Sequence, residues 1–247
     1  MQLQVLGSSS KGNCYILKTE TGSLLIEAGI PFHKVKEALD FDISCIVGCV
    51  TTHEHKDHCK AIEEVMSAGI DVYMSKGTAE ALSLNSHRLH IIESPYKEFF
   101  IQDFIIRAFE TEHDAAEPIG FLIVYKPTGE KILFATDTYY LRYVFKGLHY
   151  IMVECNYIPE ILDWNVGQGI VDYTHRNRLI KSHFSLDNVK TFLKANDMST
   201  VKKIILLHLS DQNSDAKRMM VEIQDITRRP VIIAEPGPAI QLEKAPF

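Results

Sequence analysis

At 247 residues the chain is long enough for one large domain or two small ones, and a hydrophobic fraction of 46% is ordinary for a globular protein with a substantial core. Its 26 basic and 32 acidic residues give a net charge of −6, which excludes a global basic field for nucleic acid, so any such contact must be local. No run approaches eighteen apolar residues, and the start MQLQVLGSSS lacks a basic region and a long apolar core, so neither a membrane span nor a secretory signal is expected.

Leu3 to Leu6 predicts a first strand. Gly7 to Asn13 is a turn cluster whose serine hydroxyls and backbone N–H groups suit either an anion or an ordinary hairpin, and Cys14 to Lys18 resumes as a strand. Ser23 to Glu27 is a strand closed by Ala28-Gly29-Ile30-Pro31, and Phe32 to Leu39 has helical spacing. The apolar run Ile43 to Val50 leads into Thr51-Thr52-His53-Glu54-His55-Lys56-Asp57-His58, followed by a helix over Ala61 to Ala68 that Gly69 stops. Asp71 to Met74 reads as a strand and Lys76 to Leu84 as a helix, while His87 and His90 lack partner spacing and read as structural or exposed.

Phe99 to Phe109 predicts paired strands that end near His113. Gly120 to Tyr125 and Lys131 to Ala135 are further strands, the second running straight into Thr136-Asp137-Thr138. Tyr150 to Glu154 is another apolar strand with a carboxylate at its end. Asp163 to Ser182 is less regular and locally basic, with Arg176, Arg178 and Lys181 within six residues, then His183. Asp187 to Ala195 is helical, Lys203 to Leu207 is a strand delivering His208, Asp215 to Arg228 is a long amphipathic helix, and Val231 to Ala234 is a closing strand. No repeat, low-complexity tract or linker interrupts the order.

The chemistry concentrates between His53 and His58, where three imidazoles and Asp57 fall within six residues at the end of a buried strand. Neutral imidazole and carboxylate suit a divalent transition metal such as Zn, Mn or Fe, and the offsets fit two adjacent ions better than one. His113, Asp137 and His208 each stand just beyond a predicted strand, well placed as further ligands. Glu154 is a candidate to orient a metal-bound histidine from behind. The five cysteines, Cys14, Cys45, Cys49, Cys59 and Cys155, are odd in number and include no CxxC pair, so they read as reduced thiols in a cytosolic-type compartment. Because the candidate ligands run from residue 53 to residue 208, residues 1–247 read as a single domain.

With His53, His55, Asp57, His58, His113, Asp137 and His208 in that order, the chain resembles the metallo-β-lactamase fold superfamily, whose HxHxDH signature is matched by His53 to His58. The segments LGSSSKGNCYIL, LLIEAGI, EHDAAEPIGF, ATDTYY, VECNY, RLIKSHFSLDN and LLHLSDQNS resemble its YycJ (WalJ)-like branch, described as 5′-to-3′ DNA exonucleases. The resemblance implies an α+β, four-layer αββα sandwich holding two divalent metal ions. By it, His53, His55 and His113 would hold one metal, Asp57, His58 and His208 the other, and Asp137 would bridge them. Glu27 departs from the family's usual Asp and would lie behind the ligands, as would Glu154. The segment from Leu162 to Asn177 does not align with the branch.

The resemblance therefore implies a metal-dependent phosphodiesterase or nuclease, a DNA exonuclease above all, in which two cations lower the pKa of a shared water. Asp57 would steer the attacking oxygen, and His183 would bind the phosphate or protonate the leaving oxygen. Ser10, Asn13, Arg178 and Ser185 are candidates for phosphate contact. Nucleic acid, DNA before RNA, is the expected partner, with no membrane and a cytoplasmic location. The alternatives are hydrolysis of a small thioester, lactone or phosphodiester metabolite, which the acidic net charge suits, and a non-catalytic metal-binding scaffold.

Overall fold

A computed structural model of the chain describes residues 1–94 and 96–242. Its strands are β1 (Gln2–Ser9), β2 (Gly12–Lys18), β3 (Ser23–Ile26), β4 (Ile46–Val50), β5 (Val72–Met74), β6 (Leu89–Ile91), β7 (Glu98–Ile101), β8 (Phe104–Glu110), β9 (Ile119–Tyr125), β10 (Glu130–Ala135), β11 (Tyr150–Glu154), β12 (Lys203–Leu207), β13 (Val231–Ile233) and β14 (Ile240–Gln241). Its α-helices are α1 (Phe32–Ala38), α2 (Lys56–Cys59), α3 (Ile62–Ser67), α4 (Lys76–Ala81), α5 (Pro159–Gly167), α6 (Tyr173–Ser182), α7 (Leu186–Ala195) and α8 (Ala216–Thr227). Strands and helices in these proportions make the chain α+β, as expected. The chain divides into two compact units: Met1–Glu110, Ala115–Gly129 and the residues from Ala234 on; and Thr111–Asp114 with Glu130–Ile233.

In the first unit a sheet runs in the order β14-β1-β2-β3-β4-β5-β6. β1, β2 and β3 pair antiparallel, whereas β3 to β6 are parallel. The stretch from Gly7 to Asn13, expected to be a turn cluster, is mostly strand: pairing continues to Ser9↔Gly12, leaving only Ser10 and Lys11 in the turn. Glycine allows it, because a Cβ on Gly7 would stand 2.4 Å from the Gly12 carbonyl oxygen. One face of the sheet is covered by α1, α3 and α4: Phe32, Val35, Ile62, Val65, Met66 and Ala79 pack on Ile16, Leu25, Cys49, Val72 and Met74. Each such Leu, Ile or Phe side chain contributes roughly 1.5–3 kcal/mol on leaving water. β7, β8 and β9 form an antiparallel ribbon in the same unit.

In the second unit β10, β11, β12 and β13 are parallel neighbours in that order. Their near-continuous apolar runs, such as Ile132 to Ala135 and Ile204 to Leu207, are buried throughout, as parallel strands require. α5, α6 and α7 connect β11 to β12, and α8 connects β12 to β13. The expectation of irregular structure over Asp163 to Ser182 is corrected by α5 and α6. Pro159 starts α5, where its missing N–H costs nothing. Asp172 caps α6, its carboxylate accepting from the His175 N–H at 2.8 Å. The apolar period was faint because the pair buries only a small cluster: Tyr157, Leu162, Val171 and Leu179, with Val166 and Ile180 partly covered.

Among the described residues no helix is long and apolar enough to cross a membrane. All five cysteines are free thiols.

Candidate metal centre

The histidine loop leaves β4 and folds back at once as α2, a single turn in which His55 is the N-cap residue. The turn rests directly on the chain after β3. Ala28 N–H donates to the His58 carbonyl at 2.8 Å, and Gly29 N–H donates to the Asn13 carbonyl at 2.9 Å. A Cβ on Gly29 would lie 1.7 Å from the Asp57 carbonyl oxygen, so only glycine permits this approach.

Glu27 sits beneath the loop, fully buried and in the left-handed region at φ 64°. Its carboxylate accepts from the Thr52 hydroxyl at 2.6 Å and the Thr52 N–H at 3.3 Å, and lies 3.4 Å from His58 Nδ1. Burial raises its pKa, opposed by His58 and Thr52. These contacts fix the imidazoles. The Thr52 hydroxyl spends its proton on Glu27, so at 2.9 Å it must accept from His53 Nδ1–H. The lone pair of His53 is therefore on Nε2. Asn13, also buried, directs its NH2 toward the Ser9 and Asp57 carbonyls at 3.2 and 3.3 Å, which fixes its orientation. The same NH2 stands 3.1 Å from His58 Nε2, so that nitrogen too carries a lone pair.

His53 Nε2 and His55 Nδ1 are 3.1 Å apart. Two nitrogens on one tetrahedral zinc, at about 2.0–2.1 Å each, stand roughly 3.3 Å apart, so this pair is already spaced as a cation would need. The ring of His58 lies 4.1 Å from that of His53, and Asp57 Oδ2 is 3.4 Å from His58 Nε2. Cys59 gives its thiol to the Glu54 and His55 carbonyls, and burial pushes its pKa up to about 12, so it borders the loop as an inert filler.

The second unit carries its own donors. Asp137 follows β10, Glu154 ends β11 and His208 follows β12. Parallel neighbours lie about 4.8 Å apart, so three such ends present their side chains together. Asp137 and His208 adopt φ 45° and 52°, a left-handed kink that ends each strand and turns the side chain aside. The two Asp137 oxygens face different imidazoles: Oδ2 is 3.8 Å from His113 Nε2, and Oδ1 is 3.6 Å from His208 Nδ1. His113 Nδ1 donates to the Ser182 carbonyl at 2.9 Å, leaving the lone pair on Nε2. Burial lowers the His113 pKa and keeps the ring neutral, the form that binds a metal.

Glu154 is completely buried and fully engaged. Oε1 stands 2.6 Å from His183 Nδ1 and 3.2 Å from His208 Nδ1, while Oε2 accepts from the N–H groups of Thr138 and Phe184. Burial works to raise its pKa, but His183 and these hydrogen bonds outweigh it and hold the carboxyl below its usual range. Burial likewise disfavours charge on His183, and Glu154 reverses that and raises its pKa. His183 and His208 stack with centroids 5.4 Å apart. Ligand atoms of Asp137, Glu154, His183 and His208 all lie within 4.8 Å of one another. The donor chemistry in each unit, neutral imidazoles locked by rear hydrogen bonds beside buried carboxylates, fits a divalent cation.

The expected phosphate contacts are spread differently. Ser10 is exposed at the β1–β2 turn, and Asn13 is buried behind His58. Arg178 is exposed on α6 and donates to Asp114 at 3.0 Å, one residue from His113. Ser185 is buried and caps α7, accepting from the Asn188 N–H at 3.1 Å. Sequence reasoning missed Thr52, Ser182 and Asn156, whose NH2 lies 2.8 Å from the His208 carbonyl and 3.2 Å from its Nδ1. Nothing in the sequence flags a backbone carbonyl, but the doubled threonine before His53 was a visible signal.

A family profile described as a β-lactamase superfamily domain matches residues 24–209. Exodeoxyribonuclease YycJ of Bacillus anthracis is 29% identical over 233 residues, covering 87% of this chain and 84% of its own. Among solved structures, the metallo-β-lactamase fold protein YhfI from Bacillus subtilis superposes with a TM-score of 0.71 at 15% identity, covering 97% of this chain and 99% of its own. Human tRNase Z, short form, superposes at 0.65 with 16% identity, covering 99% of this chain and all of its own.

Proposed function

The chain belongs to the β-lactamase superfamily domain family, and from that premise we propose that it is a metal-dependent phosphodiesterase, a DNA exonuclease acting from the 5′ end. The profile spans both units, which supports reading residues 1–247 as one hydrolase domain. We assign His53, His55 and His113 to one divalent cation and Asp57, His58 and His208 to a second, with Asp137 bridging, as the family resemblance implies. Zn, Mn and Fe all suit such a set. Bound there, divalent cations would supply an acidified water near neutral pH and positive charge beside a reacting phosphate.

The protein's own part rests chiefly on the His183–Glu154 pair, the observation that carries this reading. Glu154 holds Nδ1, so the imidazole stands in one orientation with Nε2 directed away from the carboxylate. A protonated ring held this way neutralises a phosphate oxygen and gives its proton to the departing 3′ oxygen. Asp57, held by its neighbours Asn13 and His58, steers the attacking oxygen. Ester and lactone hydrolysis need no second cationic group for a dianionic centre, so the pair favours phosphodiester chemistry. DNA is favoured over RNA because the curated relative matching most of the chain is named an exodeoxyribonuclease, although tRNase Z shares the fold. A cytoplasmic location follows from the same reading and the reduced thiols.

The test is cleavage of end-labelled single-stranded DNA, duplex DNA and RNA after chelation and return of Zn, Mn or Fe. The expected result is metal-dependent shortening of DNA from its 5′ end. His183→Ala retains its metal and loses turnover by roughly 10²–10⁴-fold, the usual weight of a general acid. Undiminished cleavage by that variant removes the assignment.

A further inference from the structure

α6 runs outward from His183, and its two sides differ. Leu179 and Ser182 are buried. At about 100° per residue, Tyr173, Asn177 and Lys181 fall at i, i+4 and i+8 on a single stripe well away from Leu179. Residues 173–186 contain Arg176, Arg178 and Lys181 but no carboxylate, in a chain whose net charge is −6. Tyr173 is 66% exposed, and Trp164 and Ile170 nearby are 60% and 52% exposed. The small core beneath α5 and α6 is complete without these three side chains. Large apolar groups left in water within one short stretch of chain, one of them beside a guanidinium, suit a contact surface. The Arg176 guanidinium lies over the Tyr173 ring at 5.9 Å while also holding Asp163 at 2.8 Å, so the ring is braced from one side.

The other end of this helix is tied to the site. Its Ser182 carbonyl accepts from His113, its C-cap residue is His183, and Arg178 holds Asp114. A rise of about 1.5 Å per residue puts the Tyr173 backbone roughly 15 Å from that of His183, with Lys181 near the chemistry and successive stripe positions about 6 Å apart. An exposed lysine two residues before His183 and a flat, braced aromatic ring farther along are the two kinds of group that a single strand uses, the first for phosphate and the second for a base.

We propose that the solvent face of α6 is the track for the single strand leading away from the cleaved bond, with Lys181 on a backbone phosphate and Tyr173 stacked on a base a few nucleotides along. The inference rests on the nuclease reading for its orientation, but its test does not depend on cleavage. Binding of a fluorescein-labelled single-stranded hexanucleotide to the metal-loaded, full-length protein is followed by anisotropy, with cleavage of hexanucleotide and dinucleotide measured alongside. Tyr173→Ala is expected to weaken hexanucleotide binding about tenfold, the loss of one base–aromatic stack. It lowers the ratio of kcat/KM for hexanucleotide over dinucleotide to match. Tyr173→Trp restores both, and Lys181→Gln weakens binding and flattens its salt dependence.

Unchanged hexanucleotide binding in Tyr173→Ala overturns the track, as does an equal loss on both substrate lengths. Tyr173-dependent binding by a protein that cuts neither substrate keeps the track and sinks the nuclease reading. Cleavage with Tyr173-independent binding does the reverse.

Discussion

The donors of the first unit come from six consecutive residues, His53 to His58, whereas those of the second are gathered from strand ends as far apart as residues 137 and 208. The two groups are held by different physics. In the first, main chain presses on main chain: α2 lies on Gly29 and Asn13, with Glu27 as a single buried anchor for Thr52 and His58. In the second, the spacing comes from the sheet. Ala135 pairs with Val153 and Glu154 with Leu207, so register alone sets Asp137, Glu154 and His208 side by side. A loop built by close approach should fail at one atom, while a site built on register should tolerate changes that leave the strands paired.

The largest effect expected from that contrast is at Gly29. Gly29→Ala puts a methyl group where the Asp57 carbonyl oxygen now lies, at 1.7 Å. Backbone cannot swing aside as a flexible side chain can, so α2 must lift from the chain beneath it. The expected cost is about 3 kcal/mol or more, with metal lost from the histidine loop. Metal content per folded molecule, measured beside a thermal melt, checks it. A variant that melts like wild type with full metal would mean that the loop is not held by this contact.

The same contrast explains what could be read from the sequence. The spacing of His53 to His58 is a property of the chain, so the motif was visible with its strand before it. That Asp137, Glu154 and His208 meet is a property of strand order, which no local pattern encodes; each was legible only as a polar residue ending an apolar run, and the family resemblance supplied their grouping. The strand predictions held well where the run was buried on both faces, as at Tyr150 to Glu154. α5 and α6, expected only as a less regular stretch, carry a faint pattern because they bury one small cluster and leave Trp164 and Tyr173 in water. The tight pairing of Ser9 with Gly12 was missed for a different reason: glycine and serine signal a turn, and here they permit two strands to approach.

A smaller effect sharpens the first half of the comparison. Glu27→Gln keeps size and burial but places an amide where both carboxylate oxygens now accept, one from the Thr52 hydroxyl and the other from its N–H. One flip sets the amide NH2 against the Thr52 N–H; the other sets it against His58 Nδ1–H and turns the Thr52 hydroxyl proton away. Thr52 then holds His53 less firmly, and the rear support of the ligand weakens. Metal affinity is expected to fall about 10–100-fold, the usual weight of an outer partner. Competition with a chromogenic chelator measures it; affinity equal to wild type would detach Glu27 from the centre.

The smallest effect tests the second half. Ile205 is buried in β12 between Met152 and Ile232, three residues before His208. Ile205→Val removes one methylene from the strand interior and leaves every ladder hydrogen bond in place. Such a change costs about 0.5–1.5 kcal/mol. If register is what places the donors, this loss appears wholly in the melting temperature, and metal affinity stays at its wild-type value. A fall in affinity out of proportion to the lost stability would show that packing inside the sheet, rather than strand pairing, aims His208 and Glu154. The two units would then be held by one kind of close fit instead of two.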